Sequence, residues 1–362
     1  MRDEGVHDEG ETLRLGLDEL RSLAFEALVA VGCSSDQADA IAETVTRAEG
    51  DGARSHGLFR IPFYARVIRE TGAVPDARPA LRELAPGVVQ VDGGMGFAPF
   101  ALRTGLPELV RRARTQGIAA LALRNVFHIA ALWHEVEGLT SEGLVGLAFT
   151  ASISHIPPAG GRRPLYGTNP MAFGWPRLGE PPVVFDQASS ASARGEILLH
   201  QRAGTPLPEG WAVGPDGAPT TDPTEALAGA QLPFGGYKGA SIALMVELLA
   251  GALIGDLFSF ESAERDRTGI EVGPGGEFIV AIDPGRFLGE GGEADGGAGF
   301  GEGRVRPDQA AHAERLFRRI LDDGGARLPG QRRYETRARS EREGVEVPSA
   351  LVEEVRALTK GG

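Results

Sequence analysis

Ser55, His56 and Arg60 form one chemically capable group in this sequence, and Lys238 within a glycine-rich run forms another. A hydroxyl beside an imidazole can tune or relay a proton. An arginine four residues after the histidine can hold a carboxylate bidentately on the same side of a helical segment. The plain alternative is a capping serine with a surface histidine and a surface arginine. The second group is Pro233-Phe234-Gly235-Gly236-Tyr237-Lys238-Gly239, leading into the apolar run Ile242 to Ile254. Glycines let backbone N–H groups approach an anion, and a lysine near a helix start adds positive charge to unsatisfied donors. The run therefore reads as a phosphate cradle for a phosphorylated ligand or cofactor. It lacks the G-x-x-x-x-G-K-[ST] spacing of a Walker A loop. A glycine-rich turn with a solvated lysine is the competing reading.

Other residues carry weaker local signals. Thr168 and Asn169, in Gly167-Thr168-Asn169-Pro170, can bind a small polar ligand or stabilise their own turn. Asp186 ends the short apolar run Val183 to Phe185, and a carboxylate at a strand's carboxyl end often points into a binding crevice. Glu196 follows Ala193-Arg194-Gly195. Either acid can orient a histidine, and either can be a solvated charge. His128 and His134 flank Trp133 without metal-ligand spacing, and His155, His200 and His312 are isolated. No H-E-x-x-H or similar signature occurs, so no metal is assigned. Cys33 is the sole cysteine and reads as a buried structural thiol.

The elements that must position these residues alternate in type. Leu17, Leu20, Ala24, Ala27, Leu28 and Val31 recur at helical spacing, Gly32 stops that helix, and Ser34 or Ser35 can cap a second over Asp36 to Ala48. Leu58 to Ile68 predicts a third, with Pro62 near its first turn or at a kink. Strands are expected over Glu83 to Asp92, Ile118 to Leu123, Leu144 to Phe149, Val183 to Phe185 and Phe278 to Ile282. Helices are expected over Pro107 to Thr115, along the face Ile129, Leu132, Trp133 and Val136, and over Ala310 to Leu321. Ile242 to Ile254 reads as a buried helix, too short to span a bilayer. Ser152 to Pro182 reads as a long irregular connection, and such loops are usually functional. The pattern is α/β layers around one sheet. No G-x-G-x-x-G occurs, so a conventional dinucleotide fingerprint is missing.

Composition sets the outer bounds. The chain has 362 residues, 42% hydrophobic and 24% charged, which fits a globular core. A net charge of −13 argues against a nucleic-acid or anionic-membrane partner. The first eleven residues carry five acids and read as a disordered, solubilising arm without signal-peptide character. Gly289 to Gly303 is nearly all Gly, Glu, Ala and Asp and reads as a mobile surface loop. The single cysteine makes a cytoplasmic location the simplest expectation.

Four segments occur in order: Ser55-His56-Gly57-x-x-Arg60, Gly167-Thr168-Asn169-Pro170-Met171-Ala172-Phe173-Gly174, Asp186-Gln187-Ala188-Ser189-Ser190 and Phe234-Gly235-Gly236-Tyr237-Lys238-Gly239. Together they resemble the type-2 malate/L-lactate dehydrogenase-like NAD(P)-dependent oxidoreductases, from about Leu17 to Val355. Within that family the chain is most similar to the Δ1-piperideine-2-carboxylate/Δ1-pyrroline-2-carboxylate reductases. That narrower resemblance rests on Ala130-Ala131-Leu132-Trp133, on Arg202-Ala203-Gly204 with Pro208-Glu209-Gly210-Trp211, on Pro219-Thr220-Thr221-Asp222 and on Leu328-Pro329-Gly330-Gln331-Arg332-Arg333.

The resemblance implies an α/β, L-sulfolactate dehydrogenase-like fold: a non-Rossmann NAD(P)-binding sheet domain with a helical N-terminal part. It divides the chain into a disordered acidic arm (1–12), a helical, substrate-side domain (13–115 and 304–362), an NAD(P)-binding domain (116–288) and a mobile loop (289–303). It implies a homodimer acting on a small molecule, with NADPH, or alternatively NADH, reducing a cyclic 2-imino acid. The alternatives are a 2-oxo acid/2-hydroxy acid dehydrogenase and an N-methyl-amino-acid dehydrogenase. Ser55 and His56 fall where the family has a proton relay, and Glu196 where the relay's acid, commonly aspartate, is expected. Arg60 and Thr168, with Arg194 and Gly195, fall on the substrate side. The cofactor surface is implied to include His128, Ile129, Ala130, Ala131, Leu132 and Trp133. Asp186, Gln187 and Ala188 belong to it too, as do Tyr237 (where the family has histidine), Lys238, Gln331, Arg332 and Arg333.

Overall fold

The structure, a computed structural model, describes residues 11–287 and 307–360. The loop expected over 289–303 and residues 1–10 of the expected arm lie outside the described residues. The arm's last residue, Thr12, already belongs to a strand, β1 (Thr12–Leu15). Helical apolar spacing forms α1 (Leu17–Ala30), which buries Leu20, Ala24, Ala27 and Leu28. Gly32, at φ +106°, turns the chain in a region that favours glycine. Ser34 Oγ accepts the Gln37 N–H at 3.3 Å and caps α2 (Ser35–Gly50). A single tight turn, Arg54–His56, precedes α3 (Arg60–Glu70), with Pro62 in its first turn, where a missing N–H is tolerated.

The middle of the chain builds β2 (Ala80–Ala85), β3 (Val88–Phe97), α4 (Ala98–Gln116), β4 (Ile118–Phe127), α5 (Trp133–Ser141), β5 (Val145–Thr150), β6 (Met171–Trp175) and β7 (Val183–Gln187). A small satellite follows: α6 (Arg194–Ala203), β8 (Ala212–Val213), β9 (Pro219–Thr220), α7 (Pro223–Ala228) and β10 (Ala230–Gln231). Then come α8 (Tyr237–Glu247), continuing as a wider turn over Leu248–Leu253, α9 (Ser259–Arg265) and β11 (Gly275–Ile282). The chain closes with α10 (Pro307–Leu321), α11 (Gln331–Glu343), β12 (Val345–Pro348) and α12 (Ser349–Leu358).

Seven strands form one mixed sheet in the order β2-β3-β4-β11-β5-β6-β7. Only β3 and β4 run parallel, joined through α4, and every other pair is antiparallel. The sheet is therefore not doubly wound, in agreement with the missing glycine fingerprint. Leu109 of α4 and Val136 and Leu139 of α5 cover one face, packing against Val91, Leu121, Leu123 and Ile279. Val246 and Ala250 cover part of the other, against Phe149. A second core unites α1, α2, α3 and α12, and Phe97 and Phe127, at the ends of β3 and β4, reach into it.

Several expectations change. Glu83 to Asp92 is not one strand, because Pro86-Gly87 turns the chain into a hairpin of β2 and β3. Pro107 lies inside α4, nine residues after that helix begins. Helical structure near Ile129 starts only at Trp133. Ser152 to Pro182 contains β6, whose short alternation is obscured by its glycine. Ile242 to Ile254 is not a buried helix: Leu244, Leu248 and Leu253 are 44%, 50% and 61% exposed. The sheet also crosses the division expected at 115/116, since β2 and β3 pair into it ahead of β4.

One guanidinium locks the two ends of the chain together. Arg337 of α11 donates to both carboxylate oxygens of Asp51, at 2.6 and 2.7 Å, and to both of Glu137, at 2.9 and 3.0 Å. Asp51 follows α2, and Glu137 lies on α5. Asp51 also accepts the Trp133 indole N–H at 3.1 Å. Removing one partner of a buried ionic group leaves an uncompensated charge. Arg337→Met is expected to destabilise the protein by about 3–5 kcal/mol, read as a lower urea midpoint; an unchanged midpoint would show that the clamp is energetically idle.

Candidate active site

Ser55 and His56 occupy the tight turn between α2 and α3, with Ser55 Oγ 3.1 Å from His56 Nδ1. Arg60 opens α3, and its Nε donates to the Ser55 carbonyl at 2.6 Å. The turn is held from below by buried Glu49, whose Oε2 accepts the Leu58 N–H at 2.8 Å. A Cβ on Gly57 would lie 1.9 Å from that oxygen, so only glycine lets the carboxylate sit against this backbone. Burial raises the Glu49 pKa, opposed by the Leu58 N–H and by Arg54.

Burial, then Arg60, then His128 push the His56 pKa down to about 3, so the imidazole is neutral at pH 7. Arg60 is half-buried and has no carboxylate partner among the described residues. Its guanidinium lies 5.7 Å from the Phe63 ring centroid, and burial lowers its pKa. A partly desolvated cation without a counter-ion is a natural receptor for a ligand carboxylate.

The start of α6 closes over this pair. A Cβ on buried Gly195 would lie 3.6 Å from Arg60 Nη2 and 3.7 Å from Ser55 Cβ. Glu196 is half-buried in the same first turn. Arg194 is differently engaged: its Nη2 donates to Glu271 Oε1 at 2.7 Å and to the Leu227 carbonyl at 3.1 Å. Its guanidinium therefore anchors the loop around Glu271 rather than standing free for substrate.

The Thr168 loop is tied down by its neighbour. Asn169 is fully buried at φ +37°, and its Nδ2 donates to the Ala243 carbonyl at 3.0 Å and to Glu247 Oε1 at 2.8 Å. Its Oδ1 accepts the Ser152 N–H at 3.2 Å. Asn169 thus stabilises the turn, and half-buried Thr168, 3.4 Å from Ser152 Oγ, remains available to a ligand.

Trp133 joins the remaining parts. Its indole N–H is fixed on Asp51, the Arg333 guanidinium lies 4.3 Å from its ring centroid, and the His56 ring meets it edge-on at 6.5 Å. Burial raises the pKa of Asp186, near the end of β7, opposed by Arg333 and by the backbone N–H groups of Leu132 and Trp133. Arg333 Nη2 lies 3.5 Å from its Oδ1. Ile129, Ala131 and Leu132 are buried, so this loop offers a ligand its backbone and Ala130 more than its larger side chains.

Gly235 and Gly236 take φ +55° and +64° to enter α8. A Cβ on Gly239 would lie 2.5 Å from the Phe234 carbonyl and 2.7 Å from the Ser189 carbonyl. The lysine loop therefore packs on the Asp186-to-Ser190 segment, where Phe234 N–H also donates to the Ser189 carbonyl at 3.1 Å. Tyr237, Lys238 and Gln187 are exposed, Ala188 is half-buried, and Lys238 has no acidic partner among the described residues. Residues 327 to 333 line a cleft of about 380 Å³, and Gly330 crosses β7 at Val184. Gln331 donates to Glu335 at 3.1 Å, while Arg332 is exposed. These sites are well apart in sequence yet meet along β7 and Trp133.

Sequence reasoning missed Glu49, Asp51, Glu135, Glu247 and Glu277. His128 Nε2 lies 3.4 Å from Glu135 Oε1 and 3.8 Å from Glu277 Oε2. Motif spacing does not reveal this trio. One signal was available: Glu277 sits in Phe278-Ile279-Val280-Ala281-Ile282's strand, apolar on both faces, where an acid is out of place.

Residues 15–356 match the malate/L-lactate dehydrogenase family. A Pseudomonas aeruginosa protein named Δ1-pyrroline-2-carboxylate/Δ1-piperideine-2-carboxylate reductase is 49% identical over 346 residues, covering 96% of this chain and 99% of that one. A Chromohalobacter salexigens protein named (2R)-3-sulfolactate dehydrogenase (NADP(+)) is 41% identical, covering 95% and 97%. The crystal structure of Δ1-piperideine-2-carboxylate reductase from Pseudomonas syringae superposes with a TM-score of 0.86 at 39% identity, covering 96% of this chain and 100% of that one.

Proposed function

This chain belongs to the malate/L-lactate dehydrogenase family, and we propose that it is a reductase of cyclic 2-imino acids. Its substrate is Δ1-piperideine-2-carboxylate or Δ1-pyrroline-2-carboxylate, and its product the L-imino acid, pipecolate or proline. The observation that carries this reading is Arg60: a half-buried guanidinium without a carboxylate partner among the described residues, beside Ser55 and His56 and under Gly195. Relatives named for these two imino acids supply the substrate class.

Arg60 holds the substrate carboxylate, with Thr168 as a polar neighbour. Ser55 orients the His56 ring through Nδ1, which leaves Nε2 to exchange the proton. Glu196, in the adjoining turn, is the relay's acid. When bound, the reduced dinucleotide supplies a hydride. Exposed Lys238 at the start of α8 fits its phosphates, and Asp186 to Ala188, Tyr237 and the Trp133 loop fit the surface beside them. NADPH is the preferred form, because Arg327 and Arg332 line the 380 Å³ cleft without acidic partners among the described residues and suit a further phosphate. The helical part thus serves the substrate and the sheet side the dinucleotide. A second reading, reduction of a 2-oxo acid, is favoured by the sulfolactate dehydrogenase relative, and Arg60 and His56 would serve it equally.

The enzyme is a cytoplasmic homodimer in this reading. No described helix is long and apolar enough to cross a membrane. The outer face of α8 and its extension exposes Leu244, Met245, Leu248 and Leu253, a stripe that a second copy would cover.

Four measurements test these assignments. Arg60→Lys keeps the charge but loses the planar fork, so substrate KM is expected to rise about tenfold or more with dinucleotide KM unchanged; weakened dinucleotide binding alone would displace the carboxylate site. Wild type assayed with both imino acids and with pyruvate, each with NADPH and NADH, decides the substrate: faster pyruvate turnover favours the second reading. Lys238→Ala is expected to raise dinucleotide KM by roughly 10- to 100-fold, as for a lost charge-assisted hydrogen bond, and unaltered affinity would move the phosphates elsewhere. Leu248→Glu is expected to convert a dimer to a monomer by light scattering, and a monomeric wild type would refute the interface.

A further inference from the structure

Glu277 projects from the centre of the sheet, paired with Leu123 of β4 and Thr150 of β5. A bulge between Gly275 and Glu277 sets its register, and it shares its face with the core residues Ile279 and Ala281. It has no exposed surface, and neither carboxyl oxygen has a hydrogen-bond partner. Glu135, in the first turn of α5, is 3% exposed, and its Oε2 is likewise unpartnered. Both acids converge on His128, and one donor atom from each of the three lies within 4.8 Å of the others. The titratable groups facing this trio are Tyr64 of α3, Asp186 of β7 and His56, the last beside Arg60. None of them is a cation placed to neutralise two buried carboxylates. Ionising both in a dry interior would cost several kcal/mol per ion.

We propose that Glu135 and Glu277 are positioning residues that share protons with His128 and form a buried acid reserve behind His56. This rests on the imine reduction proposed above. In that reaction the imine carbon receives the hydride of the reduced nicotinamide and the C=N π pair moves to nitrogen. The nitrogen takes a proton from the His56 side. A proton from the trio then restores the site, one carboxylate of the trio stays ionised in its place, and solvent reprotonates it after product leaves. Desolvation supports the arrangement: burial, then Glu135, raise Glu277 to about 8, and burial also raises Glu135 well above its ordinary range. The reserve is therefore filled at neutral pH and empties as pH passes about 8.

Glu277→Gln keeps the shape of a protonated carboxyl but cannot ionise. Wild-type kcat is expected to fall on an alkaline limb near pH 8. The variant should have about tenfold lower kcat at pH 7, lack that limb and retain both KM values, and Glu277→Asp should restore the limb. Infrared titration should show the band of a protonated carboxyl disappearing near pH 8 in wild type and absent from the variant. Stability follows the same group: its folded pKa lies above the unfolded value, so its contribution is complete below about 4.5 and is lost as pH rises through about 8. If Glu277→Gln does not fold, Glu135→Gln should shift the limb instead. An unchanged limb and band in the folded variant would overturn the proposal. So would a stoichiometric divalent ion bound in wild type and lost in the variant, because a metal would then hold the trio. The infrared and stability readouts need no turnover; if only a 2-oxo acid is reduced, the substrate reading fails while the reserve is still tested.

Discussion

The structure depends on a single demand: Asp51 and Glu137 are buried acids and must be neutralised, and among the described residues Arg337 alone meets both. That contact brings α11 onto α2 and α5. Asp51 in turn fixes the Trp133 indole, and Trp133 is the surface against which Arg333 and His56 are arranged. The site is thus assembled from the outside inward. A salt bridge joining α11 to α5 and the end of α2 decides where an aromatic ring stands, and the ring decides where the imidazole can go.

Much of this was legible in the sequence where chemistry depends on contiguous residues. Ser55, His56 and Arg60 lie within six positions, and a tight turn followed by a helix brings them together without help from the rest of the chain. The lysine loop was legible because Gly235 and Gly236 need positive φ and Gly239 needs close backbone approach. The order of motifs revealed the family, and the missing fingerprint revealed that the sheet is not doubly wound.

What was illegible depended on tertiary choice. Nothing near Asp51 announces that its partner is 286 residues away. Glu49 looks like one more surface acid on α2, yet it is buried because Gly57 opens a space beneath the turn. Arg194 looks like a substrate cation until Glu271 is seen beside it. The run from Ile242 to Ile254 misled for another reason: it is apolar on all sides, so periodicity could not show that one side stays uncovered.

The pairing of β1 with β12 has a consequence for the order in which the molecule comes into being. Leu15 is registered against Val345, and α12 packs on α1 and α3. The helical part therefore lacks an edge strand and part of its core until the last segment has left the ribosome. Domains usually fold as the nascent chain emerges, first part first. Here residues 12–70 must wait for residues 345–358, while the central sheet, whose strands all lie between residues 80 and 282, can close earlier. Maturation should proceed from the middle outward, with the apolar surfaces of α1 and α3 that pack on α12 uncovered during the interval.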